Sequence, residues 1–306
     1  LVTLSDISFH TKTEDQVANL STALLGVAFY ANGDLARAKD LIDKGLGRLE
    51  QAKSDIGGLD ILYFQRARVR YGLAQLQEAA NDLQTALKIK DTSEAHYNLA
   101  IAYSELCSPA RQLASAIAEA EKAMQLKPNN AATHRLLGDL YRQAGKYPPA
   151  IAEFQAALKI DASDAQTYAW LASAQKANGQ TDAAQKSDQI AKDLYRKLLG
   201  TLPVDSLEAR MRRGDVQMNI GDYPGAVTEY QAAQQLAPNA PSVHRGLGNA
   251  YYALHNLATA TREYAQWAKL APDDANAHML LGLAYIEAQQ TVSATTELQR
   301  ATTLSA

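Results

Sequence analysis

Residues 134–157 read HRLLGDLYRQAGKYPPAIAEFQAA, and residues 244–267 read HRGLGNAYYALHNLATATREYAQW. Laid over one another they share His134 with His244, Leu137 with Leu247, Gly138 with Gly248, Tyr141 with Tyr251 and Ala150 with Ala260. Phe154 and Tyr264 hold one further aromatic position in common. A third stretch, from Ala275, repeats the pattern with His278, Leu281, Gly282, Tyr285, Ala294, Leu298 and Ala301. Gly214, Gly248 and Gly282 follow one another at intervals of 34 residues. A recurrence on this scale means stacked supersecondary units, each burying its apolar face against the next.

Within each copy the apolar residues fall three and four apart, as two successive amphipathic helices require. Leu137 and Tyr141 mark the first helix of one copy, and Ala150, Phe154 and Ala157 the second. Gly145 and Gly221 stand where a first helix must stop, a place that favours positive φ. Pro148 and Pro224 open second helices, where an N–H is not needed. Pro128, Pro238 and Pro272 close them, because proline cannot continue the helical ladder. Gly138, Gly214, Gly248 and Gly282 are mid-helix glycines that each cost about 1 kcal/mol relative to alanine. Close approach of a neighbouring helix is the expected compensation.

This pattern resembles the tetratricopeptide repeat (TPR), a helix–turn–helix of 34 residues, in about eight copies. The resemblance implies an all-α fold, a right-handed superhelical solenoid. First positions fall at Asn19, near Asp60, and at Ser93, Ala131, Ala165, Leu207, Pro241 and Ala275. Residues 1–18 match no repeat, and Val2, Leu4, Ile7 and Phe9 suggest a strand or tether from an upstream domain. Extra residues fall around Cys107-Ser108-Pro109, and a long fifth second helix leads into residues 200–206, a candidate hinge. Arg66, Arg68, Arg70, Arg210 and Arg213 occupy places where the pattern expects apolar or small residues.

The 306 residues carry 30 basic and 33 acidic side chains, a net charge of −3, with 47% hydrophobic composition. A duplex-coating protein draws its affinity from neutralising phosphates, so no nucleic-acid partner is expected. The longest run free of charged or strongly polar side chains, Ala23–Ala31, is far short of the ~20 residues of a membrane span. A lone cysteine, Cys107, gives neither a disulfide framework nor a cysteine-built zinc site. The alanine-rich, cysteine-poor composition suggests a bacterial source. Cytoplasmic placement is the simplest expectation, or periplasmic or membrane-tethered if Leu1 follows a processed or excised start.

His96, His134, His244 and His278 share the fourth repeat position, which explains them as packing residues rather than metal ligands. No catalytic motif is present: Gly246-Leu247-Gly248 lies inside a helix with no preceding strand and no third glycine. The expectation is therefore no enzyme, no metal and no cofactor. In TPR proteins the second, fifth, ninth, twelfth and thirteenth positions face the groove. The resemblance thus implies a front, mixed-charge surface with Arg135, Asp139 and Arg142. It also implies a rear surface with Met211, Asp215, Met218, Arg245, Asn249, Tyr252, Met279, Leu283 and Ile286. Three of the four methionines fall there, and methionine adapts readily to a peptide. A clamp for a peptide's terminal carboxylate is incomplete: Arg245 and Asn249 match approximately, but Leu280 stands where asparagine is needed. The expected function is a non-catalytic scaffold holding a protein or peptide in its groove, self-association being possible. The alternatives are a sensor or regulatory arm of a larger enzyme or ATPase, and a helical-repeat RNA binder.

Overall fold

The computed structural model describes residues 13–52, 58–106 and 109–304. Among them every regular element is a helix, and the chain divides into two compact units, Leu1–Ala162 and Ser163–Ala306. The first holds α1 (Glu14–Ala31), α2 (Leu35–Gln51), α3 (Leu59–Gly72), α4 (Leu76–Ile89), α5 (Ser93–Glu105), α6 (Pro109–Leu126), α7 (Ala131–Gln143) and α8 (Tyr147–Ile160). The second holds α9 (Ala165–Ala177), α10 (Thr181–Leu199), α11 (Leu207–Ile220), α12 (Tyr223–Leu236), α13 (Pro241–Ala253), α14 (Leu257–Leu270), α15 (Ala275–Glu287) and α16 (Thr291–Leu304). The described helices thus fit about eight helix–turn–helix repeats. The strand or tether expected at Val2–Phe9, together with His10, Cys107 and Ser108, lies outside the described residues.

Local chemistry sets the boundaries. Most first helices open on a side chain that supplies the acceptor their free N–H groups lack, whereas α3 and α13 open on Gly58 and Ala240 without one. Thr13 accepts from the Gln16 amide, Thr92 from Ala95, Asn130 from Ala132 and Thr133, Asp164 from Gln166 and Thr167, and Ser206 from Ala209. Thr13 starts α1 at Glu14, five residues ahead of Asn19 and inside the stretch 1–18 set apart as a lead-in. The turn between paired helices needs positive φ at the fifteenth repeat position. Gly145 (71°) and Gly221 (87°) supply it cheaply, whereas Ala74, His255 and Gln289 adopt it with a side chain in place.

Each odd-numbered helix packs against the even-numbered one that follows, and α1 with α3, α5 with α7 and α11 with α13 also touch. The first helices therefore stand side by side and form one face of each unit. Alanines with no exposure mark the closest crossings: Ala23, Ala38, Ala79, Ala100 and Ala150 in the first unit, Ala226, Ala250, Ala260 and Ala284 in the second. Residues 200–206 lie within the second unit. There Arg213 Nη1 donates to the carbonyl oxygens of Leu199 and Leu202 at 3.0 and 3.1 Å, tying the stretch to α11.

Candidate functional site

Two side-chain arrangements fix the face formed by the first helices. The first is an acidic residue at the twenty-third repeat position, on the second helix, that reaches back to the first. Glu153 accepts from His134 Nδ1 at 2.7 Å, Glu263 from His244 at 2.8 Å, Glu297 from His278 at 2.6 Å, and Glu119 from His96 at 2.5 Å. The opposite ring nitrogen of His134, His244 and His278 meets the carbonyl oxygen of Pro128, Pro238 and Pro272 at 2.9–3.1 Å. Each of these histidines is a bracket between paired helices and the loop before them. Among the described residues no three metal-ligating side chains stand together.

The arginines that break the repeat pattern serve the same bracket. Arg210, in the histidine position, donates to Glu229 at 2.7 Å, and Arg213 joins it at 2.8 Å. Burial alone would raise the Glu229 carboxyl, but the hydrogen bonds and charges of Arg210 and Arg213 hold it below its ordinary value. In the second repeat Arg66 grips Asp82, which is 3% exposed, with two hydrogen bonds of 2.9 and 2.7 Å. Arg70 adds a 2.9 Å contact to Asp82, and both arginines also reach Asp43. Burial would lower the Arg66 guanidinium; its hydrogen bond to Asp82 and the surrounding carboxylates outweigh that and raise it. Arg66 and Arg70, which stand where the pattern expects apolar or small residues, are therefore tied into the bracket between paired helices.

The second arrangement explains the mid-helix glycines. A Cβ on Gly248 would lie 2.5 Å from the Tyr264 ring, one on Gly214 2.4 Å from Tyr230, and one on Gly138 2.7 Å from Phe154. The space is taken by an aromatic ring of the second helix. Its hydroxyl passes beside the glycine to the ninth position: Tyr230 donates to Asp215 at 2.6 Å, and Tyr264 to Asn249 at 2.9 Å. Burial, and then the bond to Asp215, push the Tyr230 hydroxyl well above the ordinary phenol value. Phe154 has no hydroxyl, and Asp139 there pairs instead with Arg142 at 2.6 Å and Gln143 at 2.8 Å.

The sequence-derived site residues of the second unit lie on α11, α13 and α15, whereas Arg135, Asp139 and Arg142 lie on α7 in the first. The rear list separates into three kinds. Met211 and Met218 are half-buried against the cluster of Ala226, Tyr230, Val243 and Leu247. Asp215 and Asn249 are anchored from beneath by the tyrosines. Met279, Leu283 and Ile286 stand exposed on α15, at 40%, 42% and 52%. On α13 Arg245 places its guanidinium 5.9 Å from the centre of the Trp267 ring. Tyr252 donates to Glu287 on α15, and that bond, more than burial, raises its hydroxyl above the ordinary value. Sequence reading missed the acidic partners. The signal was there: an acid follows the fourth-position residue by 19 in the pairs ending at Glu153, Glu229, Glu263 and Glu297.

The family description "TPR repeat" matches residues 138–179 and 214–255, and "Tetratricopeptide repeat" matches residues 245–306. No curated protein matches the sequence. Among solved structures, a tetratricopeptide repeat protein from Parabacteroides merdae is similar with a TM-score of 0.60 at 15% identity, over 89% of this chain and 99% of that one. Yeast Tom70 is similar with a TM-score of 0.54 at 15% identity, over 99% of this chain and 63% of that one. IFIT1, in a structure with Gppp-AAAA, is similar with a TM-score of 0.50 at 16% identity, over 95% of this chain and 70% of that one. At these identities the likeness establishes the fold.

Proposed function

Taking as premise that the chain is a tetratricopeptide repeat protein, we propose that it is a non-catalytic scaffold whose second unit holds a protein or peptide on the face of α11, α13 and α15. One observation carries this reading. Met279, Leu283 and Ile286 form an exposed apolar run on α15, and α13, joined to α15 by the Tyr252–Glu287 bond, carries polar groups already fixed in place: Asn249 by Tyr264, and Arg245 over Trp267. An apolar strip of this kind on a soluble protein marks an interaction surface. Preset polar neighbours lower the ordering cost of binding. Met211 and Met218 add apolar surface on α11, and Asp215 and Asn249 orient the bound chain. Self-association through the same strip is the competing occupant. On the first unit, Arg135, Asp139 and Arg142 belong to a secondary, mixed-charge surface.

Recovery of partners by the wild-type chain and by a Met279→Glu, Leu283→Glu variant tests the reading. Both side chains are exposed, so the variant keeps the fold, whereas a charge at Met218 would disturb the cluster beneath it. A partner lost with the variant, at unchanged melting temperature, supports the site; equal recovery excludes it. Tyr252→Ala is expected to weaken binding by about 1–3 kcal/mol as a central aromatic anchor. Tyr252→Phe, which removes only the bond to Glu287, should lose much less.

A further inference from the structure

In the fourth, sixth and seventh repeats an aromatic ring fills the layer under the eighth position. The second repeat has no such ring. Its eighth residue is Ala67 rather than glycine, and its twenty-fourth is Leu83. The layer is left as a cavity of about 220 Å³, with Ala67 and Leu83 in its apolar wall and Tyr30, Arg68, Tyr71 and Asn98 around them. A void of roughly 150 Å³ is enough to take up a benzene-sized molecule, so this one admits a leucine-sized side chain.

Arg68 gives the cavity its chemistry. Of the three arginines on α3, Arg66 and Arg70 are neutralised by Asp43 and Asp82. Arg68 is half-buried, with its guanidinium 4.8 Å from the centre of the Tyr30 ring and its Nη1 on the neutral Gln65 Oε1 at 3.2 Å. Among the described residues it has no carboxylate partner. A guanidinium stacked on an aromatic keeps its planar fork for a carboxylate. Asn98 commits its Nδ2 to the Glu94 carbonyl at 2.7 Å, which leaves Oδ1 as the atom it can offer to a peptide N–H. Beyond Tyr71, Glu105 accepts from the Tyr71 hydroxyl at 2.5 Å. Its charge disfavours free small anions, so a ligand needs the apolar contact as well.

We propose that this cavity is a peptide-binding pocket for an aliphatic side chain adjacent to an aspartate or glutamate, the side chain resting against the wall that holds Ala67 and Leu83 and the carboxylate meeting Arg68. The site lies wholly in the first unit and does not depend on the surface proposed for the second.

The probes are three blocked peptides: acetyl-Gly-Leu-Asp-Gly-amide, its Asn counterpart, and acetyl-Gly-Gly-Asp-Gly-amide. The readout is NMR titration of the full chain, following Arg68 Hε and the Asn98 side-chain amide. The Leu-Asp peptide is expected to give saturating shifts at both groups, at least five-fold tighter than the Leu-Asn or Gly-Asp peptide. Arg68→Gln should abolish the preference for Asp over Asn. An Ala67→Gly, Leu83→Phe variant copies the Gly138–Phe154 pair of the fourth repeat, so it fills the cavity with a combination the fold already accommodates. It should lose the preference for Leu over Gly. Equal shifts from the Leu-Asp and Leu-Asn peptides, no shift at the pocket, or undiminished binding to the filled variant would each overturn the proposal.

Discussion

At Gly248 the identity of one residue is fixed by a ring sixteen positions later. The Tyr264 ring lies where a Cβ would be, 2.5 Å away, and its hydroxyl continues to Asn249. Gly248→Ala is therefore expected to destabilise by roughly 1–3 kcal/mol through overpacking, although alanine is the better helix former by about 1 kcal/mol. The second repeat shows the alternative, since Ala67 there coexists with Leu83. Adding Tyr264→Leu to Gly248→Ala should recover part of the loss, and urea denaturation of both single variants and the double variant would measure the coupling. Strictly additive losses would mean that glycine and ring are not partners. The sequence displayed the glycines at their 34-residue interval, and close approach was the right inference. It did not display what approaches, because the ring belongs to the other helix and its hydroxyl ends on a residue outside the apolar pattern.

Between paired helices the same position does the same task with different chemistry. Glu263 takes a histidine, Glu229 two arginines, and Asp82 Arg66 and Arg70, each across the crossing of a first and a second helix. The repeat boundaries could be read from apolar spacing, proline and glycine. The brackets could not, because they join charged residues outside the apolar repeat, and Arg210 and Arg213 stand there as departures from the pattern. Removing one member of a buried ion pair strands the other. Glu229→Ala is accordingly expected to cost about 3 kcal/mol, somewhat less if water reaches the half-buried arginines. The carboxyl of Glu229 is held below its ordinary value in the folded state. Its contribution is thus complete above the ordinary glutamate value of about 4.3. It is lost as pH falls through the lower, folded value. Chemical denaturation of wild type and Glu229→Gln from pH 7 to pH 3 should show a stability gap that closes below about pH 4; a gap constant with pH would remove Glu229 from the acid response. The packing alanines belong to this scale too. Ala150 has no exposed surface, and Ala150→Leu should cost about 1–3 kcal/mol in a melting experiment.

Over the whole molecule, the distribution of positive charge decides which partners the surface can hold. The chain carries 30 basic and 33 acidic side chains, and several of the arginines clustered in its sequence are spent internally. Arg66 and Arg70 are bound to Asp43 and Asp82, Arg210 and Arg213 to Glu229, and Arg142 to Asp139. At the candidate surfaces Arg68 in the second repeat and Arg245 in the seventh are each stacked on an aromatic ring. Phosphate-backbone binding needs several cations releasing counterions together, with affinity falling steeply as salt rises. Guanidiniums so dispersed supply little of that, although each suits a single carboxylate well. Titration of the chain into a fluorescein-labelled single-stranded RNA is therefore expected to give only weak binding at low salt, abolished near physiological ionic strength. Binding that survives physiological salt would instead require base stacking or a nucleotide pocket on one of the faces. In that event the exposed Tyr71 in the first unit and the half-buried Tyr252 in the second would be the residues to substitute first.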